Sequence, residues 1–351
     1  MEKNSEYIVV ADALLTENGF VTDREVRIKD GFITDITARA QASHKVNVLD
    51  FSGHSIAPCF CDYHLHFFKR KTEKTKEIID ALTASGISKA YDGGSPHGYG
   101  MDVKKSVTDR IAVLTAGYAL YKKGSYGKYI GRGVGTLQEA EDSIERLCQG
   151  EADYIKAVNS GVFEAADGTI SPGGFTLYEL KRIVACAGKK GLHVACHANG
   201  NEAVRDAIEA GVSFIVHGLG VSSESLALMA ETGTAFIPTV NAFVSLASKE
   251  SEKMTRENIR EAVAQHLAAV KNAYDMGVKV LPGSDAGTAV IPYGSSFHKE
   301  LDLFQEAGVS PEKILLSAAA GNLALGAKAD FLILEGLRVK HVFRGGVLLN
   351  R

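Results

Sequence analysis

Short apolar runs alternate with polar turns over residues 7 to 53, at the start of the chain. Asn18-Gly19 and Asp30-Gly31 separate three of these runs. Both dipeptides tolerate a positive φ and are typical of tight β-hairpin turns. The β character returns after Gly326, where two further apolar runs follow. We therefore predict that residues 1–54 and 327–351 build one small β domain.

The middle of the chain follows a different pattern, in which short apolar runs alternate with segments of helical periodicity. The predicted strands lie within residues 55–66, 86–94, 110–120, 153–161, 193–200, 213–219, 235–240 and 279–287. The clearest predicted helices are 136–149, 176–191 and 260–277, two of which end at a glycine, as helix C-termini often do. Eight strands alternating with helices predict an α/β (β/α)₈ TIM barrel over residues 55–326. An open doubly wound sheet is the alternative.

Composition narrows the class of protein. Hydrophobic residues make up 45% of the chain and charged residues 23%, which is ordinary for a soluble globular protein and excludes a largely disordered one. The net charge of −3, without basic blocks, argues against nucleic acid or a membrane as partner and favours a small-molecule substrate. Five scattered cysteines and the lack of a recognisable signal peptide predict a cytoplasmic protein with free thiols. Whether it forms a homo-oligomer stays open.

The strongest local signal is His64-Leu65-His66 at the end of the first predicted barrel strand. Residues two apart on a strand point to the same face, so both imidazoles can reach one metal ion. A lone pair of this kind is a weak signal, since most such histidines serve packing or lie at the surface.

Three later strands also end in residues that bind metals: His197, His217 and Asp285. In a (β/α)₈ barrel the carboxyl ends of the strands converge on the active site, so we expect these side chains to meet. Each alone reads as a buried structural polar group, but together they favour a metal centre.

Lys156 in the fourth predicted strand points into the same region. Burial disfavours the ammonium form, so a lysine here requires a partner or a changed chemical state. One interpretation is an ion pair with Asp285. The other is a neutral amine that has reacted with CO₂ to form a carbamate, an anion able to bridge two divalent metals.

This ordered set of residues resembles the amidohydrolase superfamily of metal-dependent hydrolases, and most closely its imidazolonepropionase-like and Xaa-Pro dipeptidase-like members. The resemblance covers nearly the whole chain and implies a (β/α)₈ barrel with a small β-sandwich domain built from both ends. It implies that His64, His66 and Asp285 hold one of two divalent ions, with zinc expected. It also implies that His197 and His217 hold the second, with carboxylated Lys156 and a hydroxide bridging them, and that Asp285 is the catalytic proton shuttle.

Substrate contacts are harder to assign. His97, Tyr118, Tyr121 and Asn241 lie in predicted loops at the barrel mouth and are the candidates for substrate binding. The loop Gly124–Gly127 lacks a histidine that relatives often carry, which weakens any transfer of dipeptidase specificity. Cys59 and Cys61 stand where relatives have other residues, and we interpret them as packing thiols.

The predicted reaction is hydrolysis of an amide, lactam or dipeptide C–N bond by a metal-bridging hydroxide. A mononuclear deaminase of the same superfamily is disfavoured, because Gly200 occupies the position where such enzymes usually place a glutamate. A lactonase or esterase stays open, since the same hydroxide attacks esters. A non-catalytic scaffold would have no reason to keep all six candidate ligands.

Overall fold

The structure is a computed structural model that describes residues 6–39, 46–68, 72–247, 252–288 and 290–349. Its strands are β1 (Glu6–Thr16), β2 (Gly19–Thr22), β3 (Arg24–Lys29), β4 (Phe32–Ala38), β5 (Asn47–Pro58), β6 (Phe60–Leu65), β7 (Ile87–Asp92), β8 (Ala112–Thr115), β9 (Ala119–Lys122), β10 (Gly131–Val134), β11 (Ile155–Val158), β12 (Phe163–Glu164), β13 (Thr169–Ile170), β14 (Val194–Ala198), β15 (Phe214–His217), β16 (Ala235–Ile237), β17 (Phe331–Glu335), β18 (Arg338–Arg344) and β19 (Val347–Leu349). Its helices are α1 (Thr72–Ala84), α2 (Tyr99–Ser106), α3 (Leu137–Gln149), α4 (Leu177–Lys189), α5 (Asn201–Ala210), α6 (Ser223–Thr232), α7 (Val240–Ala247), α8 (Lys253–Asp275), α9 (Ser295–Glu306) and α10 (Pro311–Ala318). None of these helices is both long enough and apolar enough to cross a membrane.

The chain divides into two compact units. The first, the terminal unit, comprises Met1–Cys61, Asp80–Lys89 and Ser310–Arg351, and the second, the central unit, comprises Asp62–Ile79 and Ala90–Val309. The predicted domain boundaries at residues 54 and 327 stay a prediction.

Both ends of the chain contribute strands to one eight-stranded sheet of the terminal unit. The strand order is β19-β18-β17-β5-β1-β3-β4, and β2 pairs with β1. Both predicted hairpins are confirmed: Thr16 pairs with Gly19, and Lys29 pairs with Phe32 across Asp30-Gly31. Among the described residues this is a single sheet, so the second layer of a β-sandwich stays a prediction.

One face of this sheet carries the core of the terminal unit. Phe331 and Phe343 stack with ring centroids 4.4 Å apart and are fully buried. Tyr7, Val26 and Ile333 pack in the same cluster. Because burial of one such side chain is worth roughly 1.5–3 kcal/mol, this cluster holds the strands from the two ends together.

The central unit alternates strands with helices, which confirms the predicted α/β class. Its larger sheet has the order β10-β9-β11-β14-β15-β16, and every neighbouring pair in it is parallel. A smaller sheet has the order β6-β7-β8. The three predicted helices appear as α3, α4 and α8, with Thr176 and Glu179 forming a capping box at the start of α4.

The eighth predicted strand, residues 279–287, is not a regular strand. Isolated bridges occur instead, from Val280 to Phe236 and from Ala286 to Leu65 and to Thr288. Pro282 cannot donate a backbone hydrogen bond, and Gly283 weakens strand structure, so the ladder is interrupted between these bridges. Within the described residues the six-stranded and three-stranded sheets thus stay separate, with β12 and β13 forming a third, two-stranded sheet, and a closed barrel stays a prediction.

Candidate metal centre

His64 and His66 lie at the end of β6 and face Asp285. The Nε2 atoms of both histidines are 3.5 Å from Oδ1 of Asp285. One ligand atom from each of the three residues lies within 4.8 Å of the others. Two neutral imidazoles and a carboxylate at this spacing suit a divalent transition metal such as zinc.

Backbone hydrogen bonds hold these distant segments together. The Asp285 N–H donates to the His64 carbonyl over 2.8 Å, and the His66 N–H donates to the Ala286 carbonyl over the same distance. The buried carboxylate of Asp62 accepts hydrogen bonds from the Ser284 N–H and hydroxyl at 2.9 and 2.6 Å. The position of Asp285 is therefore set by its neighbours on both sides.

His197 and His217 complete a cluster of four imidazoles. Their ring centroids are 4.5 Å apart, and the His217 ring is 5.6 Å from that of His64. All four rings are at least 92% buried. Neighbouring strands β14 and β15 provide the second pair, with Ala198 opposite His217 in the ladder.

Hydrogen bonds orient three of the rings. Nδ1 of His66 donates to the Gly94 carbonyl at 2.7 Å, and Nε2 of His197 donates to the Gly161 carbonyl at 3.0 Å. Nδ1 of His217 is 2.7 Å from the Thr239 hydroxyl. A ring nitrogen that donates to a carbonyl leaves the other nitrogen with its lone pair, which is the form that binds a metal.

Burial favours the neutral state of these rings. It lowers the pKa of His66 to about 4 and that of His197 to about 3. The pKa values of His64 and His217 also lie well below the ordinary value, with burial as the main cause. At neutral pH all four histidines are unprotonated and ready to coordinate a cation.

Lys156 lies in β11 with its side chain fully buried, and Nζ has no hydrogen-bond partner among the described residues. The described ion pairs include none between Lys156 and Asp285, so the interpretation as an ion pair is not supported. Burial lowers the pKa of Lys156 to about 7, with Cys196 and Asp285 opposing the shift. The neutral amine is therefore well populated at neutral pH.

The backbone is strained at three residues around the cluster. His217, Thr239 and Asp285 have φ values of 72°, 49° and 54°. Non-glycine residues in the left-handed region each cost on the order of 1–3 kcal/mol and concentrate at functional sites. In a regular strand the side chains of Val216 and His217 would point to opposite faces. The left-handed backbone at His217 departs from this alternation and so determines the direction of its ring.

Gly93, just after β7, provides the space for two of the rings. A Cβ at this position would lie 2.5 Å from Cε1 of His64 and 2.7 Å from Cε1 of His66. The Gly93 N–H donates to the Leu65 carbonyl at 2.8 Å, which limits how far the backbone can withdraw. Sequence reasoning missed this glycine, because its role depends on a contact between two strands.

Two neighbouring cavities with shared lining residues lie beside the cluster. The first has a volume of about 250 Å³ and contains the predicted ligands His64, His66, Lys156, His197, His217 and Asp285 in its lining. The second is about 380 Å³ and shares His197, His217, Asp285, Tyr126 and Thr288 with the first. All six predicted metal ligands thus surround one cavity.

The four predicted substrate residues lie elsewhere. His97 and Tyr118 line a separate cavity of about 500 Å³ together with Arg132. Tyr121 packs against a small apolar cluster, and the Asn241 N–H donates to the buried Glu300 carboxylate. None of the four is among the described residues that line the two cavities at the metal ligands.

Other side chains surround the space beside the ligands. Sequence reasoning gave no such role to Tyr126, Phe163 and Phe243. The two phenylalanines follow predicted strands four and seven. The signal in the sequence that could have identified them is an apolar residue in a loop at the carboxyl end of a strand.

Cys59 and Cys61 are buried and form no disulfide within the described chain. Burial raises the pKa of the Cys59 thiol to about 12.

Comparison with known protein families shows to which family the chain belongs. The sequence profile described as the amidohydrolase family matches residues 55–349. The chain belongs to the amidohydrolase family. This confirms the resemblance on which the ligand set was predicted.

Solved structures share the fold of this amidohydrolase. A Xaa-Pro dipeptidase with bound methionine aligns with a TM-score of 0.84 and 23% identity, covering 99% of this chain and 100% of that one. A putative prolidase from Bifidobacterium longum aligns with a TM-score of 0.82 and 21% identity, covering 99% of this chain and 95% of that one. The A. niger ochratoxinase aligns with a TM-score of 0.79 and 21% identity, covering 99% of this chain and 96% of that one. At these identities the likeness establishes an α/β fold of the TIM-barrel type.

Curated relatives match a shorter stretch. An uncharacterized protein of Mycobacterium tuberculosis is 32% identical over 115 residues, and one of Mycobacterium bovis matches equally. The match covers 32% of this chain and 31% of the length of these relatives.

Proposed function

We propose that this amidohydrolase holds two divalent metal ions, zinc being the expected one, and hydrolyses a C–N bond of an amide, lactam or dipeptide. His64, His66 and Asp285 bind the first ion, and His197 and His217 bind the second. The observation that carries the proposal is the buried, unpartnered Nζ of Lys156 inside a cavity with four neutral imidazoles and a carboxylate.

Lys156 becomes a ligand through carboxylation. Its neutral amine attacks CO₂ to form an N–C bond, and one proton leaves, so the product is a carbamate with one negative charge. This change would remove the cost of an unpaired buried amine and would supply two oxygens as ligands for the ions. It also offsets the positive charge that two cations bring into a buried site.

Asp285 moves the proton during the reaction. When bound, the two cations lower the pKa of a water molecule and polarise the scissile carbonyl. Burial raises the pKa of Asp285 to about 7 in the metal-free protein, and bound cations favour the carboxylate as the resting form. The carboxylate then accepts the proton from the attacking water and donates it to the departing nitrogen.

The proposed architecture places all ligands at the mouth of a closed (β/α)₈ barrel, with a β-sandwich from both chain ends. Two hydrogen bonds in the interrupted eighth segment support closure. The Tyr63 N–H donates to the Pro282 carbonyl at 3.0 Å, and the Leu281 N–H donates to the Phe236 carbonyl at 2.8 Å. These bonds connect the eighth segment to both β6 and β16.

Metal analysis tests the proposal. Purified protein reconstituted with zinc and bicarbonate should contain two ions per chain, whereas Lys156→Ala should hold at most one and lose turnover. Lys105→Ala, which removes a lysine whose side chain is 65% exposed, is the matched control and should keep both ions. After equilibration with ¹³C-bicarbonate, a carbamate resonance should appear in the parent protein and be absent from Lys156→Ala.

The outcome that overturns the carbamate is two bound ions and unchanged turnover in Lys156→Ala. Asp285→Asn tests the proton transfer separately. It should bind the second ion normally yet lose hydrolysis by a factor of at least about 10². Near-normal turnover of Asp285→Asn would exclude its role as proton shuttle.

A further inference from the structure

The cavity next to the metal ligands is mainly apolar. Beyond the residues it shares with the ligand cavity, its lining includes one polar residue, Asn199, and the apolar residues Val162, Phe163, Ala242, Phe243, Leu246, Val290 and Ile291. Asp285, which faces the metal site, carries the one carboxyl group among the described lining residues, and none of them is a lysine or arginine. A charged substrate group placed in the outer part of this cavity would lose its hydration without gaining a partner there.

The walls of this cavity are built before any substrate arrives. Phe163 and Phe243 meet edge to face with ring centroids 6.4 Å apart. They pack on a small apolar cluster that includes Leu219 and Ile259. Both phenylalanine side chains are at least 91% buried, so their positions are determined by packing.

Polar contacts hold the two elements that carry these rings. Phe163 belongs to the β12–β13 hairpin, whose turn is bound by Asn258 through hydrogen bonds from Nδ2 to the carbonyls of Ala165 and Ala166. Phe243 lies on α7, and the Glu300 carboxylate accepts the N–H groups of Val240 and Asn241 at its start. A preorganised apolar wall costs little ordering entropy when a ligand binds.

We propose that this cavity is the specificity subsite of the enzyme and receives an uncharged, apolar substituent of the substrate next to the scissile amide. The inference rests on the proposed function and adds the substrate class to it. The substrates are amides with an aliphatic or aromatic group. Phe163 and Phe243 are the residues that select this group.

A substrate series tests the subsite. One series varies a straight acyl chain from acetyl to hexanoyl on a constant anilide, and the other varies the amine on a constant acyl group. Each added methylene that enters the cavity should raise kcat/KM about fourfold, up to the length of the cavity. At least one of the two series should show this rise.

Variants connect the effect to the cavity. Phe243→Ala should flatten the responding series, and Phe243→Leu should restore most of it. Leu246→Lys introduces a cation at the rim and should favour a glutaryl over a pentanoyl substrate by about tenfold or more. Met254→Ala, at a residue that is 63% exposed on α8, is the control and should leave both series unchanged.

Binding to metal-free protein separates this inference from the proposed function. Calorimetric titration with uncharged amides of increasing chain length should show tightening that Phe243→Ala removes. Tightening without hydrolysis of any amide would keep the subsite and refute the proposed function. Hydrolysis without dependence on chain length in either series, or a dependence unaltered in Phe243→Ala, would refute the subsite.

Discussion

Replacing Gly93 by alanine is the sharpest perturbation of the metal centre. The new methyl carbon would lie 2.5 and 2.7 Å from ring carbons of His64 and His66, about 0.9 and 0.7 Å inside ordinary contact at 3.4 Å. The φ of Gly93 lies outside the left-handed region, so backbone strain adds nothing to this clash. Overpacking of this kind costs roughly 1–3 kcal/mol. Both rings must move, so we expect metal affinity to fall by about 5- to 150-fold.

Competition with a fluorescent zinc chelator measures this change. Gly188→Ala is the matched control, because a methyl group at this exposed position in α4 meets nothing within 4 Å. It should leave zinc affinity unchanged and stabilise the protein by about 0.5–1 kcal/mol. If Gly93→Ala binds zinc as tightly as the parent protein, the two rings are not the ligands or are not confined as described.

Three further changes test the surroundings. Thr239→Val removes the hydroxyl beside Nδ1 of His217 and should weaken zinc binding by about 10- to 100-fold, whereas Thr239→Ser should not. Burial lowers the pKa of His266 to about 4, so this residue alone should take up to ~3 kcal/mol of stability from the metal-free protein as the pH falls from 6.5 to 4, because the unfolded chain binds this proton first. Urea titrations across this range should show a smaller loss for His266→Gln. Phe331→Ala should lower the free energy of unfolding of the terminal unit by about 3–5 kcal/mol, measured by urea titration, and a loss below 1 kcal/mol would contradict its place in the core.

The clustering of the predicted ligands could be anticipated from sequence because its signal is local. His64 and His66 share one strand face, and His197 is the next-to-last residue of another strand, so residue type and spacing carry the information. Their hydrogen-bond partners, such as the Gly94 and Gly161 carbonyls, could not be predicted. A backbone carbonyl has no residue-specific signal, and its position depends on how the loops fold.

The residues that line the cavities beside the predicted ligands could not be predicted for a related reason. His97 and Tyr118 are predicted substrate contacts because polar and aromatic residues stand in loops after predicted strands. The loop after β7 leads into α2, and its side chains line a different cavity from the one at the metal ligands. Loop conformation decides which side chains face the ligands, and periodicity says nothing about it. By contrast, the interruption of the eighth segment does have a signal in the sequence, namely Pro282.

The pairing of β17 with β5 has a consequence for biosynthesis. Phe331 lies opposite Pro58, so 273 residues must be translated between the two halves of this ladder. At a translation rate of roughly 5–20 residues per second, about 14–55 s pass between the synthesis of β5 and that of its antiparallel partner. During that time the nascent chain presents an open strand edge of the kind that invites aggregation. We expect this interval to make the chain a client of ribosome-associated chaperones.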